Sequence, residues 1–185
     1  MLRKIRPVEE KDKEPALQLV EEVFTEHDSP EEGKKVRGMV EEIRAKKYYL
    51  PELELVMVNE NDELLGYAMF SRWHIEGRYE DELLILTPVA VKTEFQRQHI
   101  SKELIEHGFE KAKELGFKAV LVEGGPANYT ARGFEPSYKY DIVAGSAIKL
   151  PRPECLMVKE LVPGALNEMH GVVDYSFYET FGEET

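Results

Sequence analysis

The chain has 185 residues, 42% of them hydrophobic, enough to build a core of ordinary size and too many for a disordered segment. Its 24 Lys and Arg are outnumbered by 36 Asp and Glu, giving a net charge of -12, a field that repels nucleic acid and anionic membranes and suits cationic partners. No apolar run approaches the roughly 20 residues that cross a bilayer. The opening MLRKIRPVEEKDKE holds no apolar signal region, and one cysteine, Cys155, makes neither a disulfide framework nor a thiolate zinc site. A soluble, cytoplasmic protein is expected.

Residues 2–8 alternate charged and apolar side chains and predict a first strand. In DKEPALQLVEEVFTEH, Leu17, Val20 and Phe24 recur at helical spacing. SPEEGKKVRGMVEEIRAKK starts a second helix, because Ser29 precedes a proline and two glutamates; Val36, Met39, Val40 and Ile43 give its apolar face. The period then changes to extended. Residues 53–58 and 64–73 flank the turn-rich NENDE and predict a hairpin. ELLILTPVAV, residues 82–91, is apolar on both faces, as a central strand is. Pro88 inside it cannot donate to a ladder, so a bulge or a splayed strand is expected at 87–89.

A helix follows, with Ile100, Leu104, Ile105, Phe109, Ala112 and Leu115 on one stripe and Gly116 placed to cap its end. KAVLVEG is the next buried strand, so strand, helix and strand form a βαβ unit with parallel strands. GGPANYTARGFEPS predicts a short turn, helix and turn. The tail carries ECLMVKELV, a short helix from Pro163 and a last strand near GVVDY. Without repeats, linkers or a second core, one domain over 1–185 is expected, with a core motif at 83–137 and a sheet extension at 138–185.

Between the central strand and its helix lies TEFQRQHIS. The first amides of a helix have no internal acceptor and its dipole adds about half a positive charge, so strand, tight turn and helix N-terminus together form an anion site. Gln96, Arg97, Gln98, His99, Ile100 and Ser101 line it. Physics alone also allows a plain solvated helix start.

The run from Leu86 to Ser137 resembles the core of the GNAT acetyltransferase superfamily. It follows a V-A-V strand with a turn similar to the Q/R-x-x-G-x-G/A signature, then places a tyrosine four residues before Gly133-Phe134. The resemblance implies an α/β (α+β) fold with a mixed, mostly antiparallel central sheet, splayed at its middle and flanked by helices. It implies acetyl-CoA as co-substrate, its pyrophosphate held by the turn amides and its pantetheine arm and acetyl carbonyl met by the main chain of Val89, Ala90 and Val91, whose valine side chains are expected in the core. Gln96 matches the Q/R position, His99 the first glycine and Ser101 the second. Glycine permits close approach and positive φ; a histidine permits neither freely.

Tyr129 matches the general-acid tyrosine of that family. A phenol near 10 can protonate a departing thiolate near 8.5. Asn128 beside it is a cofactor contact in this reading. Glu123, at the end of a parallel strand where open α/β sheets gather ligands, is the first choice of general base, with Asp81, Glu82, His74 or a water chain as rivals. The five histidines show no paired metal spacing, and no metal is expected. The resulting expectation is direct transfer of an acetyl group to a primary amine, on a small molecule or a basic peptide. The alternative is a non-catalytic module holding CoA or an acyl form, favoured by His99. A Rossmann-type dinucleotide site is disfavoured, since no glycine triplet follows the first strand. Sheet edges leave homodimer formation open.

Overall fold

The first helices form where the sequence signals them. The computed structural model describes residues 1–180, so the last five residues of the expected sheet extension lie outside it. Strand β1 (Arg3–Pro7) is followed by a 3-10 turn and helix α1 (Lys13–His27). Helix α2 (Pro30–Arg44) begins at Ser29, whose hydroxyl accepts the Glu32 N–H at 3.1 Å, with Pro30 at the first helical position and Glu31 and Glu32 in the first turn. Leu17 and Val20 are buried as their spacing requires, while Phe24 is half-buried at the edge of the stripe. Strands β2 (Glu54–Asn59) and β3 (Leu64–Arg72) make the hairpin, and β4 (Leu83–Val91) is the central strand. Helix α3 (Ile100–Glu114), strand β5 (Ala119–Glu123) and the one-turn helix α4 (Pro126–Tyr129) complete the motif region.

The tail differs most from expectation. ECLMVKELV forms strand β8 (Leu156–Glu160), and the helix expected from Pro163 is a single 3-10 turn, Ala165–Asn167. The apolar run is used as sheet because β5 offers a long open edge for it. Short strands β6 (Glu135–Pro136) and β7 (Ile142–Ala144) precede it, and β9 (Gly171–Val173) is the expected last strand.

Packing divides the chain into two compact units, Met1–Phe70 with Thr87–Lys111, and Ser71–Leu86 with Ala112–Thr185. In the first unit the strands lie in the order β1, β2, β3 and then the second half of β4, with β1 and β3 both antiparallel to β2. A register shift falls at Met57/Val58. Strand β2 is buried on both faces, including the carboxylate of Glu54, which takes Arg44 Nε at 2.8 Å, Tyr67 Oη at 2.8 Å and the Tyr49 hydroxyl. A buried carboxylate is tolerated only when paired and hydrogen-bonded in this way. Gly66 of β3 lets α3 come close: a Cβ there would stand 2.7 Å from Ile100 Cγ2 and 3.1 Å from Leu104 Cδ1.

In the second unit the order is the first half of β4, then β5, β8 and β6, beside a separate parallel pair of β7 and β9. Strands β4 and β5 are parallel from Leu83–Ala119 to Ile85–Leu121, where their ladder ends, and β8 is antiparallel to both β5 and β6. The fold is thus a mixed, mostly antiparallel central sheet with four α-helices among the described residues. Strand β4 passes through Pro88 without ending, and the Thr87–Pro88 peptide is cis. Along its second half burial alternates: Ala90 is buried and Val89 and Val91 are half-buried, so the two valines are not core residues. Helix α3 buries Ile100, Leu104, Ile105, Phe109 and Ala112. Leu115 falls beyond the helix end and is exposed, and Gly116 takes φ +91 in the turn that follows.

Candidate active site

In the first unit, residues 91–101 form a turn whose conformation follows from its hydrogen bonds. Lys92 N–H donates to Leu65 O at 3.1 Å, and a 3-10 turn over Thr93–Phe95 leads to Gln96 in extended conformation. Arg97 and His99 then take φ +62 each, and Gln98 between them does not. Backbone that alternates hand in this way turns successive N–H groups into one concavity, a form suited to anions. His99 O accepts the Glu103 N–H at 2.9 Å, which makes His99 the residue that opens α3. The amides of the first helical turn have no acceptor inside the helix.

His99 therefore takes the left-handed conformation that glycine takes freely, the feature a histidine was expected to resist. Its ring is exposed, as are Arg97 and Gln98; Gln96 and Ser101 are half-buried and Ile100 is buried. Arg97 has no ion pair among the described residues. In a chain of net charge -12, an unpaired guanidinium beside these amides fits a phosphate.

Two other elements, α1 and β1, hold the turn. Thr93 donates its hydroxyl to Glu26 in the last turn of α1. The Gln96 amide reaches Val91 O at 3.4 Å and lies 3.2 Å from His27 Nε2. Arg3 of β1 donates through Nη2 to Gln98 O at 3.0 Å and to Glu103 Oε1 at 2.5 Å. Sequence reasoning missed Glu26, His27 and Arg3. They stand far from the turn along the chain, and no local pattern marks them.

In the second unit, Glu123 ends β5 and is exposed, and it accepts a hydrogen bond from the Tyr175 hydroxyl. Tyr129 lies across the turn that follows. Its ring packs onto Gly124, where a Cβ would come within 2.3 Å of Cε2, and meets Phe134 edge-on at 5.6 Å between centroids. Burial pushes the Tyr129 phenol above its ordinary 10, with the Arg132 charge pulling the other way. Its hydroxyl makes no hydrogen bond among the described residues. Asn128 is exposed and its carbonyl accepts from Arg132. Glu123, Asn128 and Tyr129 are thus gathered around one turn.

The rival bases stand elsewhere in that unit. Glu82 is paired with Lys118, and Asp81 lies 3.4 Å from Arg72 Nε. Both sit where β4 and β5 begin, so the length of β5 separates them from Glu123, about 16 Å at the usual rise. His74 is buried, and its Nδ1 accepts the Gly77 N–H at 2.8 Å. Its ring proton is therefore on Nε2, 2.7 Å from Ser176 Oγ, and no ring lone pair is left for a substrate. Among the described residues no group of His, Cys, Asp and Glu could hold a metal ion, and no helix is long and apolar enough to cross a membrane.

Residues 17–134 match the model of the acetyltransferase (GNAT) family. The chain belongs to the GNAT family. The uncharacterised N-acetyltransferase YhbS of Escherichia coli strain K12 is 30% identical over 125 residues, 66% of this chain and 71% of that protein. YjhQ of the same strain, also an uncharacterised N-acetyltransferase, is 33% identical over 87 residues, 46% of this chain and 48% of that protein. The crystal structure of E. coli YhbS in complex with CoA superposes with a TM-score of 0.84 at 23% identity, covering 99% of this chain and 93% of that one. A GNAT acetyltransferase of Brucella melitensis in complex with acetyl-CoA gives a TM-score of 0.64 at 26% identity, covering 72% and 82%. The turn over 96–101 and the Tyr129 turn both lie within the residues that match the family model.

Proposed function

We propose that this GNAT protein transfers an acetyl group from acetyl-CoA to a primary amine by direct attack. The observation that carries the reading is the left-handed backbone at Arg97 and His99, which keeps a glycine-type turn where the letters are not glycine. The turn over Gln96 to Ser101 holds the pyrophosphate through the amides that follow Gln96 and through the Arg97 guanidinium. The main chain of Val89, Ala90 and Val91 binds the pantetheine arm and the acetyl carbonyl. Glu123 takes a proton from the acceptor ammonium. The amine nitrogen then attacks the thioester carbon, the C–S bond breaks and Tyr129 protonates the departing thiolate, while the second proton of the nitrogen is lost through water and the Tyr129 phenolate regains a proton from solvent. Asn128 contacts the cofactor beside it. No covalent enzyme intermediate is needed. The acidic balance of the chain favours a cationic small molecule or a basic peptide as acceptor.

Two measurements test this. Acetyl-CoA should raise the melting temperature, as any ligand of the native state does. Thiol release should then appear with at least one member of a panel of amines. A melting temperature indifferent to acetyl-CoA would end the reading. A shift without thiol release from any amine would instead support the CoA-holding module.

A further inference from the structure

We infer that Arg3 is a positioning residue for the acetyl-CoA turn: it holds the carbonyl of Gln98 and so keeps His99 in the conformation that a glycine would take unaided. The inference rests on the reading of this turn as the acetyl-CoA site. Of the two elements that fasten the turn, α1 acts before the left-handed pair, through Thr93 and Gln96. Among the described residues, only Arg3 acts between Arg97 and His99. The oxygen it holds, at 3.0 Å, belongs to the peptide that joins Gln98 to His99. A trans peptide is a rigid plane with its oxygen and its N–H on opposite sides. Fixing the Gln98 oxygen toward β1 therefore aims the His99 N–H away from β1. The same guanidinium meets Glu103 Oε1 at 2.5 Å, in the first turn of α3, so one side chain ties the turn to the helix that continues it.

The need for such a tie comes from His99. A left-handed residue with a Cβ is disfavoured about tenfold or more against the right-handed form, whereas glycine takes both hands about equally. With histidine at this place the turn is biased to relax, and relaxation rotates the peptide that Arg3 holds. An exposed ion pair by itself contributes little to stability. The position of the Gln98 oxygen, not the charge on Glu103, gives Arg3 its effect.

The test is a cycle of Arg3→Leu and His99→Gly, with CoA titrated calorimetrically into each variant and into Arg3→Lys. Hydrogen exchange across 92–104 is followed in the CoA-free proteins. Arg3→Leu should weaken CoA binding about tenfold and speed exchange in the turn, with Arg3→Lys recovering most of both. In the His99→Gly background the same loss should cost less than threefold. Equal losses in both backgrounds, or CoA binding by Arg3→Leu within twofold of the parent, would overturn the inference. If the parent chain binds no CoA, the reading of the site fails, and exchange still decides the brace: a turn equally protected with and without Arg3 rejects it.

Discussion

Replacing His99 with glycine should make the protein more stable, not less. The histidine sits at φ +62 with its ring exposed, so the exchange removes backbone strain without emptying any packed space. A left-handed non-glycine residue costs about 1–2 kcal/mol. Glycine returns about 0.5–1 kcal/mol of that through the greater freedom of its unfolded chain. The net gain is about 0.5–1 kcal/mol, a rise of about 1–4 °C in melting temperature for a chain of this length. Differential scanning calorimetry of His99→Gly and His99→Ala reads it. Alanine keeps the Cβ and its penalty, so it should melt with the parent chain. CoA affinity in His99→Gly should be unchanged or better, because the amide remains and its conformation becomes easier to hold. A lower melting temperature for the glycine variant, or an equal rise for alanine, would refute the backbone argument and assign the effect to the ring.

Tyr129→Phe should lower thiol release about a hundredfold while leaving CoA affinity within twofold; unchanged turnover would remove Tyr129 from the mechanism. Because burial holds this phenol above 10, its loss of the proton should limit the rate only on the alkaline side of pH 10. Arg44→Leu takes the cation away from the fully buried Glu54 side chain, and should cost about 3 kcal/mol, a fall of about 6–12 °C in melting temperature. A fall under about 3 °C would mean that Tyr49 and Tyr67 suffice to hold the carboxylate. Burial and the neighbouring Glu54 also raise Tyr67 well above 10. The folded state then keeps a proton that the unfolded state releases, so this contribution is complete below pH 10 and is lost as pH rises beyond it. The slope is about 1.4 kcal/mol per pH unit for one tyrosine. Urea unfolding at several alkaline pH values should show that slope reduced in Tyr67→Phe, and equal slopes would refute it.

The sequence carried the elements whose signals are local. Ser29-Pro30 marked the start of α2, and the two-sided apolar run marked β4 as central. The order of β4, α3 and β5 along the chain already implied their parallel pairing. The tail resisted because its short strands β6 and β7 have no period to read, and because β8 is a strand only by virtue of the edge beside it. At the site, the letters of the turn were legible and its hand was not. Histidine at a glycine position predicts strain, but only the bonds from Arg3 and from α1 reveal what sustains it. His74 shows the converse. A lone histidine reads as a base until the Gly77 amide is found on its Nδ1.

Gly66 has a reach beyond its own strand. Ile100, the side chain that rests on it, is also the first residue of α3, so the thickness of the sheet at this point sets the height of the proposed phosphate cradle. A helix shifts as a stiff rod, and a methyl group slipped beneath Ile100 would lift its whole leading edge. Positioning errors near 1 Å can cost a hundredfold in rate. The smallest side chain in the hairpin thus works as a gauge block: its absence of bulk calibrates a site made of other residues.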